Sequence, residues 1–199
     1  MLIGIDFDNT IVSYDALFHK IALEWGSIPP DIPINKTAIR NYLRRIDKED
    51  IWTEMQGYVY GLRMIKEADP FPGVHQFFAF CHQNQIPVKI ISHKTRYPYL
   101  GEQYDLHQAA LDWLVHHSFN ESIGFLIDNF YPELTKAEKL QRIKAVGCTH
   151  FIDDLPELLN EAAFPDGVQR ILFDPASEYS DFQNGIQAFS WAEIRTLFE

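Results

Sequence analysis

Short apolar runs of four or five residues recur along this chain and alternate with helix-periodic stretches. Residues 2–5 close on Asp6-Phe7-Asp8. Val88-Lys89-Ile90-Ile91-Ser92, Ile123-Gly124-Phe125-Leu126-Ile127, His150-Phe151-Ile152-Asp153 and Arg170-Ile171-Leu172-Phe173 follow. Near-continuous apolarity fits strands covered on both faces, the usual condition of a parallel sheet. Val74, Phe77, Phe78 and Cys81 share one helical face. Leu106, Ala110, Trp113 and Leu114 share another; Leu140, Ile143 and Val146 a third; and Leu155, Leu158, Leu159 and Ala162 a fourth. Thr135 with Glu138, and Ser190 with Glu193, have the spacing of capping boxes, and Gly147 is placed to end the helix that Thr135 starts. Strands alternating with helices predict an α/β fold, a Rossmann-like parallel sheet with flanking helices.

One stretch interrupts the alternation. After the first strand no second one is expected until residue 88, and residues 14–67 read as helices. Leu17, Phe18, Ile21, Ala22 and Trp25 lie on one face, and Ile51, Trp52, Met55, Val59 and Leu62 on another. Asp69-Pro70-Phe71-Pro72-Gly73 reads as a rigid re-entry linker. The expected organisation is a core of residues 1–13 and 68–199 with a small helical subdomain, residues 14–67, inserted after strand one. The insertion holds 8 basic and 8 acidic residues, whereas the remainder holds 9 and 20. A locally less negative insertion suits an anionic ligand, because positive potential draws anions into a cleft.

The net charge of −11 disfavours nucleic-acid binding through a broad basic surface and docking on anionic lipid. Cys81 and Cys148 form neither a disulfide framework nor a zinc signature. No run approaches the ~20 apolar residues of a transmembrane helix, and the start of the sequence carries no signal-peptide pattern. A cytoplasmic protein is expected.

Chemistry concentrates at two strand ends. Asp6 and Asp8 straddle the end of the first apolar run, and Asp153-Asp154 end another. In open α/β sheets ligands bind at the carboxyl edge of the strands. Carboxylates this close are costly unless a cation neutralises them, and hard oxygen donors from two strand ends suit Mg2+.

With these residues in place the chain resembles the haloacid dehalogenase superfamily of phosphohydrolases. Its first motif, DxDx[TV], matches Asp6, Asp8 and Thr10. Its second, an apolar strand ending in Ser or Thr, matches Val88-Lys89-Ile90-Ile91-Ser92. Its third is a lysine at the start of a later helix, and its fourth an acidic pair after an apolar strand, Asp153-Asp154. The insertion falls at the family's first cap position. The resemblance implies a Mg2+-dependent phosphatase acting on a small phosphorylated metabolite. Asp6 would be the nucleophile and form an aspartyl-phosphate. Asp8 would be the general acid and then the base. Mg2+ would bridge Asp6, the backbone carbonyl of Asp8 and the phosphate, and Ser92 would donate to a phosphoryl oxygen. Thr10 would support the loop.

Two assignments stay open. Asp154 or Asp153 ligates the metal directly; alignment on the acid before the following helix favours Asp154, with Asp153 then behind the ligands or the partner of the lysine. The lysine is Lys139 or Lys136, both in the first helical turn. His93, Lys94 and Arg96 follow Ser92 directly; Lys94 or Arg96 could bind phosphate or another substrate anion. Trp52 sits on an apolar stripe and is expected to pack. A phosphotransferase or mutase on the same core is the alternative activity, and a non-catalytic ligand-binding protein of the same fold is the other. Asp8 speaks against a dehalogenase, whose chemistry does not need that acid.

Overall fold

A computed structural model describes residues 1–122 and 124–199, with only the backbone of Glu121 and Ser122. In chain order the elements are β1 (Ile3–Ile5), β2 (Val12–Ser13), α1 (Asp15–Glu24), α2 (Lys36–Arg45), α3 (Glu49–Tyr58), a π-helical turn (Val59–Arg63), α4 (Met64–Glu67), β3 (Asp69–Pro70), α5 (Val74–Gln83) and β4 (Val88–His93). Then come α6 (Leu106–His116), α7 (Phe119–Ser122), a 3-10 turn (Ile127–Asn129), β5 (Phe130–Glu133), α8 (Lys136–Ala145), β6 (His150–Asp153), α9 (Pro156–Leu159), β7 (Gln169–Phe173), β8 (Ile186–Ala188) and α10 (Trp191–Thr196). Six strands form one sheet in the order β5-β4-β1-β6-β7-β8, and every pairing is parallel. The expected α/β class is the observed one. β2 and β3 make a separate two-stranded sheet.

The chain divides into two compact units. The first holds Met1–Val12, Pro70–Lys94 and His117–Glu199; the second holds Ser13–Asp69 and Thr95–His116.

In the first unit the sheet is buried on both faces. Phe151, Leu172 and Ile91 pack with Leu140 and Ile143 of α8 and Leu158 and Leu159 of α9. On the opposite face the rings of Phe77 in α5, Phe173 in β7 and Trp191 in α10 stack together, with Trp191 5.0 Å from Phe77 and 5.6 Å from Phe173. Gly4 lies where β1 meets β6: a Cβ there would sit 2.6 Å from the Phe151 ring and 2.8 Å from Cys148 Sγ. The helix caps expected from sequence form: Thr135 Oγ1 accepts from Glu138 N–H, and Ser190 Oγ from Glu193 N–H, both at 3.1 Å. Gly147 takes a left-handed φ of +76° just past α8.

Two edge strands depart from the sequence reading. The strand expected at 123–127 is replaced by irregular backbone and the 3-10 turn, and the pairing segment is Phe130–Glu133; Ile123 itself lies outside the described residues. Gly124 adopts φ +68°, which breaks the extended run, and Pro132 is tolerated in β5 because an edge strand has one side without ladder bonds. At the other edge, β8 is a strand that sequence periodicity does not flag, being three residues long with only Ala188 fully buried.

The second unit is helical. Phe18, Trp52, Tyr60 and Tyr14 form its aromatic core, with the Phe18 ring 5.0 Å from Trp52 and 5.5 Å from Tyr60. Trp52 therefore packs, as its apolar stripe suggests. Residues 95–116 also belong here. Trp113 Nε1 donates to Ala68 O at 2.8 Å, and Gly57 and Gly61 let Pro98 and Tyr104 close in, since added Cβ atoms would lie 2.7 Å and 2.3 Å from them.

Candidate active site

The first unit gathers its carboxylates at the C-terminal ends of neighbouring strands β1 and β6. Asp6 continues β1, where its N–H donates to Ile152 O at 2.8 Å. Asp153 is the last residue of β6, and Asp154 follows it. Asp6, Asp153 and Asp154 each offer a carboxylate oxygen within 4.8 Å of the others.

Lys139 ties this cluster together. It lies in the first turns of α8, 1% exposed, with Nζ 2.6 Å from Asp6 Oδ1 and 2.6 Å from Asp153 Oδ2. Asp153 Oδ1 meanwhile accepts from Leu155 N–H at 2.9 Å, so both its oxygens are engaged. Burial works against the ammonium, but the carboxylates of Asp153 and Asp6 outweigh it and hold Lys139 above its usual range. Burial dominates at Asp6: against the pull of Lys139, and with Asp153 and Asp8 adding repulsion, its carboxyl is raised from 3.8 to about 6. Lys136, the other candidate, is exposed at the first position of α8. It stands one turn nearer the helix tip and faces solvent.

The loop after β1 is tightly bound. Ile11 N–H and Val12 N–H both donate to Phe7 O, at 3.0 and 3.1 Å, and Asn9 takes a left-handed φ of +57°, a conformation asparagine tolerates better than most residues. Thr10 is buried, its carbonyl accepting from Trp191 Nε1 at 3.1 Å and its hydroxyl 3.5 Å from Asp154 Oδ1. This loop aims Asp8 at Lys94 rather than at the other carboxylates. Lys94 Nζ is 2.8 Å from Asp8 Oδ1, and both side chains are largely buried. The sequence offers Lys94 or Arg96 as an anion binder, but not this pairing: Lys94 and Asp8 are 86 residues apart, and no periodicity links them.

Ser92 is the penultimate residue of β4, on the strand beside β1. It is 2% exposed, and its Oγ has no hydrogen-bond partner. A buried hydroxyl without a partner is costly, so this atom is suited to a ligand. Next to it, burial first and then the Lys139 charge push the His93 imidazole below its usual range, favouring the neutral ring. Arg96 lies in the second unit, where its guanidinium pairs with Asp105 at 3.0 Å. The same carboxylate accepts from His107 and Gln108 N–H at the start of α6. The structure thus engages Arg96 at a helix start within the second unit.

No family model matches the sequence, and no curated protein does. Solved structures match over nearly its whole length. A conserved haloacid dehalogenase-like protein of unknown function from Agrobacterium tumefaciens is 14% identical, with a TM-score of 0.64 over 99% of this chain and 96% of that one. A putative phosphoglycolate phosphatase from Lactobacillus delbrueckii gives 14% and 0.63 over 98% and 97%. The fold is haloacid dehalogenase-like. A phosphoserine phosphohydrolase-like protein from Francisella tularensis adds 11% and 0.62 over 100% and 99%, and a structure described as a dehalogenase gives 12% and 0.60 over 98% and 96%. The haloacid dehalogenase-like fold therefore hosts more than one named chemistry. Among the described residues no helix is long and apolar enough to cross a membrane.

Proposed function

We propose that the chain is a Mg2+-dependent phosphatase that hydrolyses a small phosphomonoester through an aspartyl-phosphate on Asp6. The observation that carries this reading is the bridge from Lys139 to both Asp6 and Asp153. It fixes one oxygen of a buried carboxylate at a strand end and leaves that group poised as a nucleophile beside further oxygen donors.

The donor set fits a hard divalent cation. Three carboxylates within reach of one another, with a lysine already neutralising part of their charge, suit Mg2+, which takes one or two carboxylates plus waters and phosphate oxygens. We assign Asp6, Asp154 and the backbone carbonyl of Asp8 as ligands, and Asp153 to hold Lys139, because both Asp153 oxygens are already engaged. When bound, the ion offsets negative charge on the transferring phosphoryl group.

In the first step an Asp6 carboxylate oxygen attacks phosphorus and the bond from phosphorus to the alcohol oxygen breaks. Asp8 gives its proton to that oxygen, so the product leaves as a neutral alcohol. In the second step water attacks the same phosphorus and passes a proton to Asp8. The bond to Asp6 breaks, which restores its carboxylate and releases inorganic phosphate. The unpartnered Ser92 Oγ is assigned to a phosphoryl oxygen, as is Lys139 Nζ through the charge it supplies. Asp8 favours phosphoryl chemistry over dehalogenation, since only the former has a leaving alcohol to protonate.

The second unit, with residues 14–67 as its larger segment, is assigned to substrate selection. A small phosphorylated metabolite is the expected substrate, the acidic surface arguing against polynucleotides. Two of the similar structures carry the names of phosphatases for small organic acids.

The test is phosphate release from a panel of phosphorylated metabolites, with and without Mg2+, for the wild type and Asp6→Asn, with one arm containing an added acceptor alcohol. Mg2+-dependent release that falls to background in a folded Asp6→Asn protein is expected. Wild-type turnover in Asp6→Asn would sink the reading. Phosphorylation of the acceptor in preference to water would make the protein a transferase, and Mg2+ binding without turnover would leave a ligand-binding protein.

A further inference from the structure

Lys94 is a buried cation that the proposed chemistry does not use. Its side chain is 7% exposed, and its position is imposed from three directions. Its backbone N–H donates to Glu133 O at 2.8 Å, which prolongs the β4–β5 ladder one residue past Ser92 and His93. Its ammonium lies 5.7 Å from the centroid of the Phe7 ring, a residue fully buried between Asp6 and Asp8. Its Nζ meets Asp8 Oδ1 at 2.8 Å. An ammonium out of water is stable only when paired and well placed, so the contact with Asp8 is a constraint on both side chains. The two buried lysines of the first unit thus divide the carboxylates: Lys139 takes Asp6 and Asp153, and Lys94 takes Asp8.

We propose that Lys94 is a positioning residue for Asp8, holding its carboxylate in the orientation from which it exchanges a proton with the leaving alcohol. The proposal rests on the phosphatase reading above. It differs from phosphate binding by Lys94, the role its place after Ser92 suggests, because it makes the lysine act through Asp8 and not on the phosphoryl group. Proton transfer requires hydrogen-bond reach in the reacting geometry. Asp8 is on a loop rather than in a strand, so its side chain needs an external hold. Lys94, continuing a paired strand, is the rigid partner that supplies one.

The consequence is specific to the leaving group. An alkyl phosphate releases a strongly basic alkoxide unless it is protonated, whereas p-nitrophenyl phosphate releases a stable anion and needs little acid assistance. The experiment measures kcat and KM on glycerol phosphate, or the best alkyl substrate of the panel, and on p-nitrophenyl phosphate. The proteins are wild type, Lys94→Met, Asp8→Asn and the double variant, all at saturating Mg2+. Expected for Lys94→Met is a fall in kcat/KM, which reports on the step that releases the alcohol and not on the later water attack, of about tenfold or more on the alkyl substrate, within the range general acid catalysis supplies, with far less change on the aryl one. In the Asp8→Asn background, removing Lys94 should cost nothing further, because the interaction it serves is gone.

Equal losses on both substrates, or full additivity in the double variant, would overturn the proposal in favour of direct phosphate binding or a purely structural role. Should Lys94→Met fail to fold, Lys94→Gln, which keeps a donor in similar volume, carries the same comparison. Absence of wild-type turnover on either substrate would instead count against the phosphatase reading itself.

Discussion

Asp6 shows what burying a carboxylate at a strand end does to the protein without a metal. Its carboxyl is raised to about 6 from an unfolded value of 3.8, with burial as the main cause. The folded state therefore holds the proton more tightly than the unfolded state. The associated stability is fully present below about pH 3.8 and is lost as pH rises through 6, an effect of about 3 kcal/mol by pH 7. In chelator, going from pH 5 to pH 7 is expected to lower the wild-type melting temperature relative to that of Asp6→Asn, in which position 6 does not titrate; the depressed His93 imidazole acts in the opposite sense in both proteins. Added Mg2+ should raise the wild-type midpoint more at pH 7 than at pH 5. Thermal melts at the two pH values check both. Asp6 and the Asp153-Asp154 pair were legible in the sequence because an acid ending an apolar strand has few structural uses. The choice between Lys136 and Lys139 was not. The stripe of Leu140 and Ile143 identifies the inward face of the helix but not how far along its axis the carboxylates lie. That depends on the stagger of α8 against β1 and β6, a tertiary property.

At the scale of elements, the central strands announced themselves and the edges did not. β1, β4, β6 and β7 lie between neighbours and under helices, so burial selects apolar residues at almost every position. β5 and β8 each pair on one side only. β5 consequently reads Phe-Tyr-Pro-Glu, partly buried throughout, and the more apolar segment before it misleads. The middle of the sheet carries a close contact that composition hides. Gly4 admits the Phe151 ring and Cys148 Sγ, so Gly4→Ala forces that ring or the strand to move. Overpacking of this kind costs about 1–3 kcal/mol. Denaturant unfolding should show that loss, and Phe151→Leu added to Gly4→Ala should recover part of it by making room.

For the whole molecule, the break in the alternation of strands and helices falls where α1 to α4 stand, in the helical unit. What the periodicity did not show is that α6 joins it. The apolar face of Leu106, Ala110, Trp113 and Leu114 suits a helix lying on a sheet equally well, and only the Trp113 bond to Ala68 and the close approach of Tyr104 at Gly61 distinguish the two. A variant in which a short linker replaces residues 14–68 would strip α6 of these partners and expose Trp113. It is expected to bind a hydrophobic dye such as ANS and to self-associate, readable by fluorescence and by size-exclusion chromatography. A monomeric, dye-silent product would show that α6 packs without the insertion.

The interleaving of the two units along the sequence also sets an order of synthesis. Every residue of the helical unit has been made once His116 is added. At that moment the other unit has only β1 and β4 of its six main strands, and the partner β1 needs on its other side, β6, has not been translated. At about 5–20 residues per second, residues 117–199 take roughly 4–17 s. For that interval the nascent chain carries all of the helical unit together with two apolar strands that cannot yet be covered, and this is the window in which a holding chaperone has most to protect.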